Sequence, residues 1–274
     1  WDPDGNNSGN NSGTGAGLGG SGTWNLSLTN WWDGTNPDVV WSNLVTDTAL
    51  FWGPIGGTVT LGSPVNAGTL QFNTSGYDIV GSGANILTLG TGGVMLGPPG
   101  GPTVNSISAQ ISGSSGFTLS GNGTLFLNSA ANNFTGGVFI NGGTLFVNAD
   151  ANFGAGANNV ALNGGNLTVG NSFTSTRTYT LSSAASVDVT VGRTFTINSA
   201  LGAASGALSK LGTGTLVLAQ NSPTFTGNIF IRAGALTAQG PAAASSTALG
   251  TGTVTLNYNT TLNLLNNGPG SNTV

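Results

Sequence analysis

Residues 121–147 read GNGTLFLNSAANNFTGGVFINGGTLFV, and residues 212–238 read GTGTLVLAQNSPTFTGNIFIRAGALTA. Set together without a gap at an offset of 91, the two stretches agree at 12 of 27 positions, among them Leu125/Leu216, Phe134/Phe225, Gly136/Gly227, Phe139/Phe230, Ile140/Ile231 and Gly143/Gly234. A supersecondary unit that recurs in one chain usually buries its apolar face against copies of itself, so the repeat bears on fold class before any single residue does. Leucines recur at a coarser interval: Leu125, Leu145 and Leu167 are spaced by 20 and 22 residues, and Leu216, Leu236 and Leu256 by 20 and 20. A hairpin meander needs no such period. A coil of about 20–22 residues, each stacking its strands in register on the next, predicts it directly, and that is a parallel β-solenoid with leucine ladders inside.

Outward from the repeat the same pattern holds. Thr58–Leu61, Thr69–Phe72, Ile86–Leu89 and Val94–Leu96 are short runs with period-2 alternation, each ended by Gly, Asn, Ser or Pro, which is the signature of half-buried strands between turns. Two Gly-Pro steps, at 97–98 and 101–102, mark an irregular loop. Upstream the character changes. Residues 1–22 are Gly/Asn/Ser-rich, too poor in apolar surface to order alone, and read as a flexible arm. Residues 23–56 hold Trp24, Trp31, Trp32, Trp41 and Trp52 and read as a Trp-rich cap, since solenoids need capped ends. Residues 57–274 form the β-helix itself.

Composition narrows the function. Only 4% of the chain is charged, with no Glu, His or Cys, and the net charge is −4. Its four basic residues, Arg177, Arg193, Lys210 and Arg232, are too scattered to neutralise a row of phosphates, so nucleic acid is not an expected partner. No apolar run reaches membrane-spanning length. With so few paired charges, stability is expected to be nearly flat between pH 5 and 9.

The segment from Lys210 through Leu211-Gly-Thr-Gly-Thr-Leu-Val-Leu to Phe225-Thr-Gly-Asn-Ile-Phe-Ile-Arg-Ala-Gly-Ala-Leu-Thr resembles the autotransporter-associated β-strand repeat, and Ser120 through Gly143-Thr-Leu resembles a second copy, with Ser120 where the Lys often stands. Asn30-Trp31, Asp47 to Phe51, Gly57 to Leu61 and Leu70 to Tyr77 resemble the prelude that commonly precedes such repeats. The resemblance implies a right-handed parallel β-helix, exported and displayed at or beyond a bacterial cell surface, in proteins that are typically adhesive or structural. The outer-membrane barrel that follows many such passengers has no counterpart in this sequence.

Candidate chemistry is sparse. Without His, a Ser or Thr nucleophile would need Lys210 as its base; a structural role at the start of the repeat is the expectation instead. Asp150 and Asp188 stand apart from other acids, and Asp188 is expected to pair with Arg193 across neighbouring strands. Asp2-Pro-Asp4-Gly5-Asn6 opens like a calcium loop, but Gly13 occupies the position where the closing Glu belongs. Asp33, Asp38 and Asp47 add oxygen ligands that no spacing fixes, so neither metal nor cofactor is assigned. The expected function is a non-catalytic extracellular structural protein, a fibre or matrix subunit that assembles end to end through Val254, Leu256, Leu262, Leu264 and Leu265, or else one part of a longer polypeptide. The alternative is the stalk or head of a surface adhesin that binds glycans through Trp24, Trp31, Trp32 and Trp41. A polysaccharide-active β-helix enzyme is the remote third reading. The tail after Leu265 is too short and polar to cover a coil.

Overall fold

A computed structural model describes residues 1–35, 37–97, 101–240 and 247–266. Most of the 97–102 loop's first Gly-Pro step and the polar tail from 267 onward lie outside the described residues. The chain divides into two compact units, Trp1–Gly136 and Gly137–Val274, and each is a parallel β-solenoid.

In the first unit the chain passes back and forth between two sheets. One runs Gly22–Trp24, Thr58–Leu61, Asp78–Val80, Thr103–Ile107 and Gly123–Leu127, and the other Thr48–Phe51, Val65–Phe72, Leu87–Leu96 and Phe117–Gly121. All the pairings are parallel and mostly in register, so Val59 lies on Ile79 and Ile79 on Ile107, while Phe51 lies on Phe72 and Phe72 on Leu96. These residues are buried. The runs Ile86–Leu89 and Val94–Leu96 join into one strand, Leu87–Leu96, whose register against its neighbour shifts between Ala67 and Thr69. On its other side the first half of this strand pairs with Ile111–Ser112 and the second half with Phe117–Gly121.

The second unit has three sheets. The first stacks Thr144–Val147, Asn166–Val169, Ala185–Val189, Leu208–Leu211, Ile229–Ile231 and Val254–Leu256. The second stacks Val138–Ile140, Val160–Leu162 and Tyr179–Leu181, and the third Phe173–Ser175, Thr194–Ile197, Thr215–Leu218, Ala235–Gly240 and Thr261–Asn266. Leu145 lies on Leu167, as its period predicts, and Leu216 on Leu236. The next step departs from the expectation. Leu236 pairs with Leu262, whereas Leu256 pairs with Ile231 in a different sheet and is 47% exposed. A longer connection between Gly240 and Val254 displaces the leucine from the ladder.

Equivalent strands of the two repeat copies also fall on different faces. Thr144–Val147 belongs to the first sheet of this unit, and its counterpart Ala235–Gly240 to the third; Val138–Ile140 belongs to the second, and Ile229–Ile231 to the first. The offset between copies is thus not a whole number of coils.

The outer surface explains the composition. In-register stacking sets each outward residue beside its counterpart one coil on, where like charges would repel. Neutral amides and hydroxyls bond instead: Asn163 Nδ2 donates to Asn141 Oδ1 at 2.9 Å, Ser182 Oγ to Asn163 Oδ1 at 2.6 Å, and Gln220 Nε2 to Asn198 Oδ1 at 3.0 Å.

Candidate functional site

The cap is built on four indoles. Trp24 ends the strand Gly22–Trp24 and lies on Leu61; Trp31 is held by paired main-chain bonds with Val39; Trp41 donates Nε1 to Asn66 O at 2.8 Å and Trp1 donates Nε1 to Gly20 O at 3.0 Å. Trp24 meets Trp31 at 5.0 Å between ring centroids and Trp41 at 5.2 Å, Trp31 meets Trp41 at 4.6 Å, and Trp1 meets Trp31 at 5.1 Å. Most of these contacts are edge-on, the arrangement that ring quadrupoles favour. Phe51 packs beneath Trp24 and Trp31 and stacks on Phe72 at 5.0 Å, so the plug runs directly into the aromatic core of the first unit.

Residues 1–22, read from composition as a flexible arm, are packed against this plug. Trp1, Asp2 and Leu18 are buried, and the Trp1 main-chain nitrogen donates to Leu50 O at 2.9 Å. Gly15 lies flat on the Trp52 indole, where a Cβ would sit 2.7 Å from Cδ1. Two large apolar anchors supply what the Gly/Asn/Ser composition lacks.

The four Trp residues singled out from sequence therefore divide. Trp24, Trp31 and Trp41 are interior, at 0%, 6% and 8% exposure, whereas Trp32 is half-buried. Trp32 and the likewise half-buried Trp52 line an open recess of about 540 Å³ whose walls also include Trp31, Trp41, Asp33 and Asp47. Trp32 Nε1 has no acceptor. Asp33 Oδ1 takes the Thr35 amide at 2.9 Å, and Asp47 takes the Ser42 hydroxyl, so each also holds its own loop.

The residues weighed for catalysis sit in structural roles. Lys210 stands in an interior row, between Val187 and Ile231, and is 0% exposed. Its Nζ donates to the carbonyls of Leu211, Gly212 and Ala233 at 2.6, 2.8 and 3.2 Å. Burial pushes the ammonium down to about 8, and Asp188 draws it partway back. Asp188 makes no ion pair with Arg193 among the described residues; Arg193 is exposed, and Asp188 pairs in register with Leu211 of the next coil. Asp150 is not solitary. Arg177, 4% exposed, donates Nε to Asp150 Oδ1 and Oδ2 at 3.0 and 3.1 Å and its terminal nitrogens to the carbonyls of Asp150, Ala155, Asn158 and Gly154. Its partner 27 residues away was invisible to spacing.

The proposed assembly residues are all at least partly open. Leu256 and Leu265 are 47% and 48% exposed, and Val254, Leu262 and Leu264 are half-buried. Leu262 and Leu264 continue the inward row of Leu236 and Ala238.

The passenger-associated-transport-repeat family model matches residues 117–147 and 208–238. The chain carries autotransporter passenger repeats. Each matched range begins four residues before the copy recognised in the sequence, adding Phe117–Ser120 and Leu208–Leu211. In that frame Leu119, and not Ser120, occupies the place of Lys210, and it is buried on Val94. The chain is also similar to the adhesin BmaC autotransporter of Brucella suis biovar 1 (strain 1330), at 40% identity over 151 residues, 54% of this chain, and it spans only 4% of that protein. No solved structure matches it. Passenger repeats place the chain at the bacterial cell surface or beyond it. Among the described residues no helix is long and apolar enough to cross a membrane.

Proposed function

We propose that the chain is a non-catalytic passenger segment of a surface adhesin, and that it meets glycans through the recess on its N-terminal cap. The observation that carries this reading is the recess of about 540 Å³ with the half-buried indoles of Trp32 and Trp52 in its wall. Indole faces stack on the C–H faces of sugar rings, and large aromatics dominate contact energy. Asp33 and Asp47, in the same wall, offer acceptors for sugar hydroxyls. The similarity to an autotransporter adhesin favours the same reading. Lys210 and Asp150, held in buried or partly buried structural bonds, favour no catalytic role.

The test is glycan-array binding by the parent chain and by a Trp32→Ala/Trp52→Ala double variant. Loss of binding with an unchanged melting temperature supports the reading. Trp24→Ala, at the centre of the plug, is expected to lower the melting temperature sharply. A parent chain that retains no glycan sinks the proposal.

A second reading, a subunit of a surface fibre, rests on the part-exposed row of Leu262 and Leu264. Another coil, from the same polypeptide or from a second copy, would cover that row. Lys at both positions is expected to abolish self-association in sedimentation runs, and association that persists excludes this face.

A further inference from the structure

Six side-chain oxygens of the first unit are buried where no hydrogen-bond donor reaches them; besides Ser63 Oγ and Asp78 Oδ1 they are four near the N-terminus, Asp2 Oδ1, Asn10 Oδ1 and both carboxylate oxygens of Asp38. Asp2 is 0% exposed and Asp38 9%. The Asn10 amide nitrogen donates to Asp2 Oδ2, and the segments that carry Asp2 and Asp38 flank one stretch of chain, Asp2 N donating to Asn30 O at 2.9 Å and Trp31 exchanging main-chain bonds with Val39. Burying ionised carboxylates without a partner is strongly unfavourable. The usual remedy, a Lys or Arg, does not exist in this unit: all four basic residues belong to Gly137–Val274, whereas six of the eight Asp fall in Trp1–Gly136.

A proton shared by the two carboxyl groups would join two of the four bare oxygens and leave the other two. A cation held between these side chains would supply the positive charge that no donor brings. The set is oxygen only, which selects a hard ion over zinc or copper. Among the described residues no three acidic side chains close on one point, so the protein offers two carboxylates and a carboxamide, with water to complete the shell. Calcium tolerates such irregular, partly hydrated sites, while magnesium demands a near-ideal octahedron. We propose that Asp2, Asn10 and Asp38 bind a calcium ion that pins residues 1–22 to the Trp cap. The acidic opening of the sequence thereby acquires a role, although its ligands come from 36 residues apart and not from a single loop.

The experiment strips the chain with a chelator and follows thermal unfolding by Trp fluorescence as calcium is added. A saturable rise of about 5 °C at millimolar calcium is expected, and terbium should show sensitised emission from the neighbouring Trp1 that calcium displaces. Both responses should vanish in Asp38→Asn and persist in Asp78→Asn, a carboxylate of the same unit that lies on the strand Asp78–Val80 and takes the Ser108 hydroxyl on Oδ2 at 3.1 Å. If Asp38→Asn does not fold, Asn10→Ala replaces it. A parent chain whose melting temperature ignores calcium overturns the proposal, as does a response that is undiminished in both Asp38→Asn and Asn10→Ala.

Discussion

Lys210 occupies a position where neighbouring coils place Val187 and Ile231. Its four-carbon stem fills the interior row, and its three ammonium protons match three inward-turned carbonyls. Lys210→Met keeps the volume and strands the carbonyls, so it is expected to cost about 2–4 kcal/mol by urea denaturation. Arg177→Met, which leaves Asp150 and a ring of carbonyls without their donor, should cost about 3–5 kcal/mol. Arg193→Ala, on the exposed face, should hardly move the midpoint. The depressed ammonium also sets a pH dependence that residue counting overlooked. Between about pH 8 and the ordinary lysine value near 10.5 the unfolded chain holds the proton more often than the folded one, so stability rises with pH across that window. Burial pushes the phenols of Tyr77 and Tyr179 well above their usual value, with the opposite sign beyond pH 10. Urea midpoints should therefore climb from pH 7.5 to 9.5, and the climb should disappear in Lys210→Met.

Each strand of the coil buries alternate residues, as in Thr215–Leu218, where Leu216 and Leu218 are interior and Thr215 and Val217 half-buried. Leu216 is sandwiched between Phe195 and Leu236. Leu216→Ala is expected to cost about 2–5 kcal/mol, the usual range for a cavity left in a close-packed core, whereas Thr194→Ala on the outside should be near neutral. Equal small effects at both would contradict the in-register stack. The glycine that opens the second copy has its own constraint. Gly212 has φ +67°, and a Cβ there would meet Val189 O at 2.3 Å. Gly212→Ala should thus cost about 1–3 kcal/mol, measured by the same urea titration. Spacing had revealed the alternation and the stacking interval, but not which later leucine joins the ladder, because a longer connection before Val254 moved Leu262 into the place expected for Leu256.

Across the molecule, stability comes from stacked apolar rows and neutral polar ladders more than from charge. The Arg177–Asp150 pair is the ion pair among the described residues, and its guanidinium is shielded from solvent. In calcium-free buffer the melting temperature should therefore change by no more than about 2 °C between 50 mM and 500 mM sodium chloride. A large salt effect would point to charges that matter beyond this pair. The cap follows the same logic of shared apolar surface: four indoles continue the aromatic column of Phe51 and Phe72.

A parallel solenoid with inward leucines, a Trp-rich end and an uncharged polar surface is written in local pattern. Alternation is a property of neighbouring residues, and a stacking interval repeats along the chain, so both survive without knowledge of distant contacts. Where each coil lands is not local. It depends on the summed length of every turn, which is why equivalent strands of the two repeats occupy different faces. The same holds for side chains that meet across coils. Trp31 and Trp32 are adjacent in sequence, yet Trp31 is 6% exposed and packs among the other indoles of the plug, while Trp32 is left half-buried in the recess wall. The Lys210 bond to Ala233 and the Arg177 bonds to Asn158 and Asp150 were likewise decided only by the tertiary structure, because the partners there lie from 19 to 27 residues away.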